Sequence, residues 1–283
     1  MTTTLDSVKK QIESGDDLHS IVRTMKALAA TSVRQYEKAA ESLDDYLHTV
    51  QLGLSVVLSS HTEIRADSIL NPHRPILLLI FGSDHGLVGS FNEQITTYAL
   101  DDYWPEQDHA SDPPAVAKII AAAGEQVATR VAAAGVDPAA TFIMPTSIGA
   151  IPAFVHLLLE RIERWRSRHG VERAMLFFNR PLPRGFSPRA ETLLPVSLEK
   201  LRQKRLQWQS RALPIFTMPP DRLLSALLRQ YFFVSLYRAC ALSLAAENTS
   251  RLVAMQAAEK NIDERLDELK AAFQQQRQAA ITG

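Results

Sequence analysis

Apolar residues recur at both ends of the chain in alternating steps of four and three. Near the amino end the stripe is Ala29, Val33, Tyr36, Ala40, Leu43, Leu47, Val50, Leu54 and Val57. Toward the carboxyl end it is Leu227, Tyr231, Val234, Ala241, Ala245, Leu252, Met255, Ile262, Leu266, Leu269 and Phe273, which follows the same steps once polar members of the stripe are counted. An average spacing of about 3.5 residues holds such a stripe on one side of a helix and winds two helices around each other to the left. The pattern predicts one long helix from about Thr4 to His61 and another from Pro220, where Pro220 and Asp221 form a start signal. At about 1.5 Å per residue each would be roughly 80–90 Å long, so much of the pair must project beyond the rest of the chain. Gly15, beside Asp16 and Asp17, should weaken the first helix near its beginning.

Between the ends the period changes. Ile76–Phe81 is apolar on both faces, as expected of a buried strand in a parallel sheet. Gly82–Gly89 reads as a turn and Phe91–Trp104 as a helix, with a proline-bounded loop from Pro105 to Pro114. Val116–Ala122 is a second strand candidate, with helix the alternative because of its alanines. Glu125–Ala134 should be a helix closing at Gly135, Thr141–Met144 a small strand, and Ala150–His169 a helix closing at Gly170. Arg173–Phe178 is a third apolar run, Pro181–Pro188 a turn, and Leu193–Val196 at best an edge strand, because proline donates nothing to a ladder. Strands alternating with helices predict a small open α/β layer structure. The chain divides into a helical segment 1–61, an α/β domain 75–200 and a helical segment 220–283.

Composition narrows the function classes. The formal net charge is zero, with 46% hydrophobic and 22% charged residues, so no bulk field favours nucleic acid or an anionic membrane. A basic run of Lys200, Arg202, Lys204, Arg205 and Arg211 reads as a solvated face. The lone Cys240 excludes an internal disulfide and a multi-cysteine zinc site, and its apolar setting marks a buried, inert thiol. No segment has the roughly 18 apolar residues that span a bilayer, and the start resembles neither signal nor transit peptide, so a cytoplasmic protein is expected.

Catalytic chemistry is sparse. Gly82-Ser-Asp-His-Gly-Leu-Val-Gly89 follows a strand, yet lacks both the Gly-Lys-Ser/Thr ending of a P-loop and the Gly-x-Gly-x-x-Gly spacing. Asp84 there reads as a capping or turn residue. The eight histidines are scattered without metal-ligand spacing, and Gly-x-Ser-x-Gly is absent. No cofactor and no metal are expected. The ends carry more: Met25 and Lys26 sit among small residues that permit close approach, and Arg277, Gln278 and Thr282 offer a forked cation, an amide and a hydroxyl. Spacing alone leaves open whether these are contacts or ordinary helix ends.

The residues Ile21, Met25, Lys26, Ala29, Ala30 and Arg34 resemble the amino-terminal signature of the gamma subunit of F-type ATP synthases. So does the tail, with Glu247, Arg251, Ala254, Met255, Ala258, Asn261, Leu266 and Leu269, then Arg277-Gln-Ala-Ala-Ile-Thr282. Ser83–Gly89 with Asn92 is similar to the family's Ser-Asp-Arg-Gly-Leu-Cys-Gly loop, and Asn179 and Leu193–Pro195 fall in comparable places. The resemblance implies an α/β fold: a long antiparallel coiled coil of the terminal helices plus a small Rossmann-like domain. It implies a central-stalk rotor, without catalytic residues of its own, that couples a rotating c-ring to ATP synthesis or hydrolysis.

By the same likeness the catalytic sites lie on beta subunits. The implied partners are alpha and beta chains around the shaft, an epsilon subunit and the c-ring, with no nucleic acid and the membrane reached only through partners. The implied place is the cytoplasmic side of a bacterial inner membrane. Met25, Lys26, Arg277, Gln278 and Thr282 match the residues that meet the alpha/beta ring. Departures are Asp16 and Asp17 at a usually basic or polar level, and His85 and Val88 in place of arginine and cysteine. The chain also stops at Gly283, short of where members usually end. A shortened chain and a divergent, alternative bacterial ATPase both fit these departures. A stand-alone coiled-coil scaffold and an α/β enzyme with nucleotide at Gly82–Gly89 are the competing readings.

Overall fold

The computed structural model of the chain describes residues 5–60, 74–101, 117–183, 185–197, 201 and 214–282, with the side chains of residues 60 and 280–282 left aside. Two helices dominate it: α1, Leu5–Ser60, and α5, Pro220–Thr282. Their 56 and 63 residues correspond to about 84 and about 95 Å. Pairs between them descend α5 as they ascend α1. Gly15 lies against Leu266, His19 against Asp263, Lys26 against Glu259, Asp44 against Arg238 and Gly53 against Leu227. The two helices are therefore antiparallel along the described pair.

Gly15 does not interrupt α1. A Cβ there would come within 2.6 Å of Leu266 Cδ2, so the glycine sits at a close helix–helix approach. Packing offsets the propensity penalty that the sequence reading emphasised.

A five-stranded sheet lies between the helices in sequence: β1 Ile76–Phe81, β2 Lys118–Ala123, β3 Ala140–Phe142, β4 Arg173–Pro181 and β5 Phe186–Leu194. Its order is β3-β2-β1-β4-β5, parallel except for β5. Leu77, Leu79 and Phe81 of β1 face one layer, while Leu78 and Ile80 face the other, which is why β1 reads as an unbroken apolar run. The second layer is α2, Phe91–Asp101, and α3, Glu125–Ala133; the first is α4, Ile151–His169, together with α5.

Three sequence expectations change. The second strand is 118–123 rather than 116–122, and it is a strand, not a helix. Strand β4 runs three residues past Phe178, and the expected turn at Pro181–Pro188 contracts to a hairpin around Gly185, whose φ is +81°. Strand β5 then starts at Phe186 and passes through Pro188. It is tolerated there because β5 is the sheet edge, where a missing N–H costs no second ladder. Residues 102–104 of the expected second helix, the Pro105–Pro114 loop and the basic run of Lys200, Arg202, Lys204, Arg205 and Arg211 lie outside the described residues.

Between Val234 and Ser250, α5 is buried on nearly every side, against α1, the sheet and α4. Ala239, Cys240, Ala241, Ser243, Ala245 and Ala246 are small enough to let a helix pass between such neighbours. Arg238 ties the layers by donating from Nε to Asp44 Oδ1 of α1 at 2.6 Å and from Nη1 to Glu191 Oε1 of β5 at 3.1 Å. Beyond Arg251 the helix pair leaves the domain on the side of the carboxyl ends of the parallel strands.

Candidate partner-contact shaft and its anchoring loop

About 40 Å of paired helix projects past the domain, formed by α1 before Ser32 and α5 after Arg251. Its seam is Val8, Ala29, Met255 and Leu266, all buried. Lys26 is turned inward, its ammonium donating to Glu259 Oε2, and His19 Nε2 lies 3.2 Å from Asp263 Oδ1. The hydrogen bond from Lys26, with the nearby charges of Lys26, His19 and Arg23, holds the Glu259 carboxyl below its ordinary range. Met25 is half-buried beside this pair. Arg277 and Gln278 are exposed near the end of α5, whereas the Thr282 side chain lies outside the described ones. The structure thus groups Met25 with Lys26 at one level and places Arg277 and Gln278 several turns farther along.

Sequence reasoning missed a second apolar line on α1. Leu18, Ile21 and Leu28 are 54%, 56% and 64% exposed and, with Met25, continue in steps of three, four and three along the face that α5 does not cover. The same four–three spacing could have exposed it, offset from the inward stripe. Leu18 also lines an open groove of about 560 Å3 between the helices, with Lys10, Gly15, Ile262, Arg265 and Leu269. This stretch of α1 therefore carries apolar side chains on its surface as well as in its seam.

At the base of the shaft, the loop after β1 is closed on itself. Ser83 N–H donates to Asn92 Oδ1 at 2.9 Å, and Asn92 Nδ2 donates to Ser83 Oγ at 2.8 Å. Asp84 caps at a distance: Oδ1 accepts from the Glu125 N–H that opens α3, and Oδ2 accepts from the Met144 N–H after β3. The expected capping role is present, directed at α3 rather than at the next helix in sequence. Gly124 needs φ +115°, and a Cβ there would stand 2.8 Å from the Ser83 backbone, so only glycine fits.

The crevice outside β1 and β4, where the strand order reverses, is the place at which open α/β sheets bind ligands. Here α5 fills it. Ala246 packs on Val88 and Phe91, Ser250 Oγ donates to the Val88 carbonyl at 2.6 Å, and Asn179 Nδ2 donates to the Phe91 carbonyl at 3.0 Å. A polar cavity of about 180 Å3 remains beside it, lined by Ser32, Tyr36, Asp84, His85, Thr146 and Glu247, among others. Arg251 Nη2 donates to Glu247 Oε1 at 2.7 Å. Burial pushes the Glu247 carboxyl up, and the charge of Arg251 offsets part of that. Burial, then the Glu247 charge, pushes the Cys240 thiol far up, which leaves it unsuited to nucleophilic chemistry. Among the described residues no cluster of three or more His, Cys, Asp or Glu could hold a metal ion. No helix among them is long and apolar enough to cross a membrane.

A braced α/β base carrying a projecting antiparallel helix pair defines a stalk-type subunit, built for contact and leverage. A family model described as ATP synthase matches residues 4–283, and the chain belongs to that family. The ATP synthase gamma chain of Lactiplantibacillus plantarum is 26% identical over all of this chain and 96% of its own length. That of Glaesserella parasuis is 23% identical over 97% of this chain and 93% of its own. Among solved structures, the rotor of Euglena gracilis mitochondrial ATP synthase superposes with a TM-score of 0.65 at 16% identity, covering 98% of both chains. The central stalk of the Tetrahymena thermophila enzyme gives 0.60 at 20% identity, over 84% of this chain and 99% of that one. These two likenesses establish the fold.

Proposed function

We propose that the chain is the central-stalk rotor subunit of an ATP synthase. The projecting helix pair carries this reading, supported by the family match along residues 4–283. The shaft turns inside a ring of alpha and beta chains, the α/β base takes torque from an ion-driven c-ring beside an epsilon subunit, and ATP chemistry occurs on the beta chains. The assembly sits on the cytoplasmic side of a bacterial inner membrane, which this chain meets through its partners. Segments 1–61 and 220–283 supply the helix pair, whose projecting part is the shaft and whose remainder is packed into the base with 75–200.

Met25, Lys26, Arg277, Gln278 and Thr282 form the ring contact, joined by Leu18, Ile21 and Leu28. The Lys26–Glu259 pair gives Lys26 a further role, that of holding the two helices in register. Two regions with different tasks account for the molecule: a base whose ligand crevice is filled by α5, and a shaft with an uncovered apolar line.

The test is reconstitution. With alpha and beta chains the protein should form a stable complex whose ATP hydrolysis depends on it, while the isolated chain hydrolyses no ATP. Robust hydrolysis by the purified chain, or no complex, would overturn the reading. Replacing both Arg277 and Gln278 by alanine should weaken coupling without changing the isolated fold, because charge-assisted contacts to the ring are lost. Unchanged coupled activity would remove these two residues from the contact.

A further inference from the structure

The exposed apolar residues Leu18, Ile21 and Leu28 all belong to α1, yet α1 is joined to the base chiefly through α5. A load taken up along α1 must therefore cross α5 before it reaches the sheet. The apolar seam between the two helices holds them together but is non-directional, whereas a hydrogen-bonded fork fixes an orientation.

Arg238 supplies such a fork. It lies on the enclosed part of α5, with its side chain 18% exposed. Its Nε donates to Asp44 Oδ1 on α1 at 2.6 Å, and its Nη1 donates to Glu191 Oε1 on β5 at 3.1 Å. Helix pair and sheet edge thus meet on one planar group. Burial works against the guanidinium charge, but the Glu191 and Asp44 carboxylates outweigh it and raise the pKa of the group. Tyr231, on the same helix, faces the same sheet carboxylate: burial and then the Glu191 charge push its phenol up. Nearer the start of α5, Tyr46 Oη donates to Gln230 Oε1 at 3.2 Å, a second polar tie between the two helices.

We propose that Arg238 is a positioning residue for torque transfer, whose guanidinium fixes the rotation of α1 about α5 relative to the sheet edge so that shaft and base turn as one body. This rests on the rotor reading above. Lysine cannot take its place, because an ammonium is a point charge without the planar fork that serves two carboxylates from different elements. Asp44 and Glu191 are each about half exposed, so the clamp adds little to equilibrium stability. Its weight falls on orientation under load.

The test compares ATP hydrolysis with ATP-driven ion pumping in the complete reconstituted synthase. Arg238→Met keeps the packing of the stem and removes both bonds. It should leave assembly and hydrolysis near the parent level while lowering the ions pumped per ATP by about threefold. Asp44→Asn and Glu191→Gln each remove one limb and should each give part of that loss. Neither should add to the loss in Arg238→Met, as expected of residues that act as one unit. Arg238→Lys should resemble the single-limb variants. Every isolated variant should melt within about 4 °C of the parent. An unchanged pumping-to-hydrolysis ratio in Arg238→Met would overturn the clamp, as would losses that simply add in the combined variants. Poor assembly or a large fall in melting temperature, with the ratio intact in the complexes that form, would reduce Arg238 to a stability residue and overturn it too. A parent chain that forms no ATP-hydrolysing complex would remove the rotor reading, and this inference with it.

Discussion

The same helix lives in two environments. From Val234 to Ser250, α5 is enclosed by α1, the sheet and α4, whereas from Leu252 onward it has only α1 for company. The enclosed part is lined with alanines and other small residues and needs no stripe, because every side is an inside. The projecting part keeps Met255 and Leu266 buried and leaves Val253 exposed. Rigidity at the base comes from three-sided packing; the shaft relies on one seam and a few cross-helix ion pairs. On the proposed rotor reading, this gradient is firm at the base and open along the shaft.

The largest expected difference is in core truncation. Leu236, fully buried at the base, should cost about 3 kcal/mol when replaced by alanine. Leu269, half-buried in the shaft, should cost under about 1 kcal/mol by the same change, since part of its surface stays in water. Chemical denaturation of the isolated chain reads both, and equal costs would erase the distinction.

A smaller effect is pH dependence, expected at the junction of the two regions. Glu247 is surrounded by Tyr36 on α1, Asp84 and His85 on the loop after β1, and Cys240 and Arg251 on its own helix. Burial raises its folded pKa above the unfolded value of about 4.3. Its contribution to stability is therefore fully present below that pH and is lost as pH rises through the raised value. As pH rises above the unfolded value, the parent chain should lose stability relative to Glu247→Gln, measured by denaturation at each pH. Parallel curves would contradict the assignment.

The smallest effect belongs to the shaft's own ion pairs. The Lys26–Glu259 pair includes partly exposed groups, so salt should screen it. Glu259→Gln should change stability only slightly at low salt and not measurably at high salt. A large salt-independent loss would mean that the shaft is braced more like the base.

The same contrast explains what was legible in the sequence. The seam residues Tyr36, Val50, Leu54 and Val57 and the strand Ile76–Phe81 could be read directly, since each pattern reports one buried face or two. Strand β5 was obscured because Pro188 looks like turn chemistry, and only its edge position makes it acceptable. The role of Gly15 was hidden because its reason, Leu266, lies on the other terminal helix. For the candidate site, residue chemistry brought forward Met25, Lys26, Arg277 and Gln278, spacing left their role open, and the resemblance supplied the contact reading. Leu18 and Leu28 were missed because an exposed line has the same period as a buried one, whereas Ile21 was named through the resemblance.

Amide hydrogen exchange on the full chain, free and then bound to the reconstituted alpha–beta ring, tests the division of labour most directly. In the free chain, residues 236–250 should exchange far more slowly than residues 5–28 and 252–276. On binding, those shaft segments should become protected, with the base helix nearly unchanged. Uniform protection along α5 in the free chain, or protection on binding confined to residues 236–250, would contradict the account.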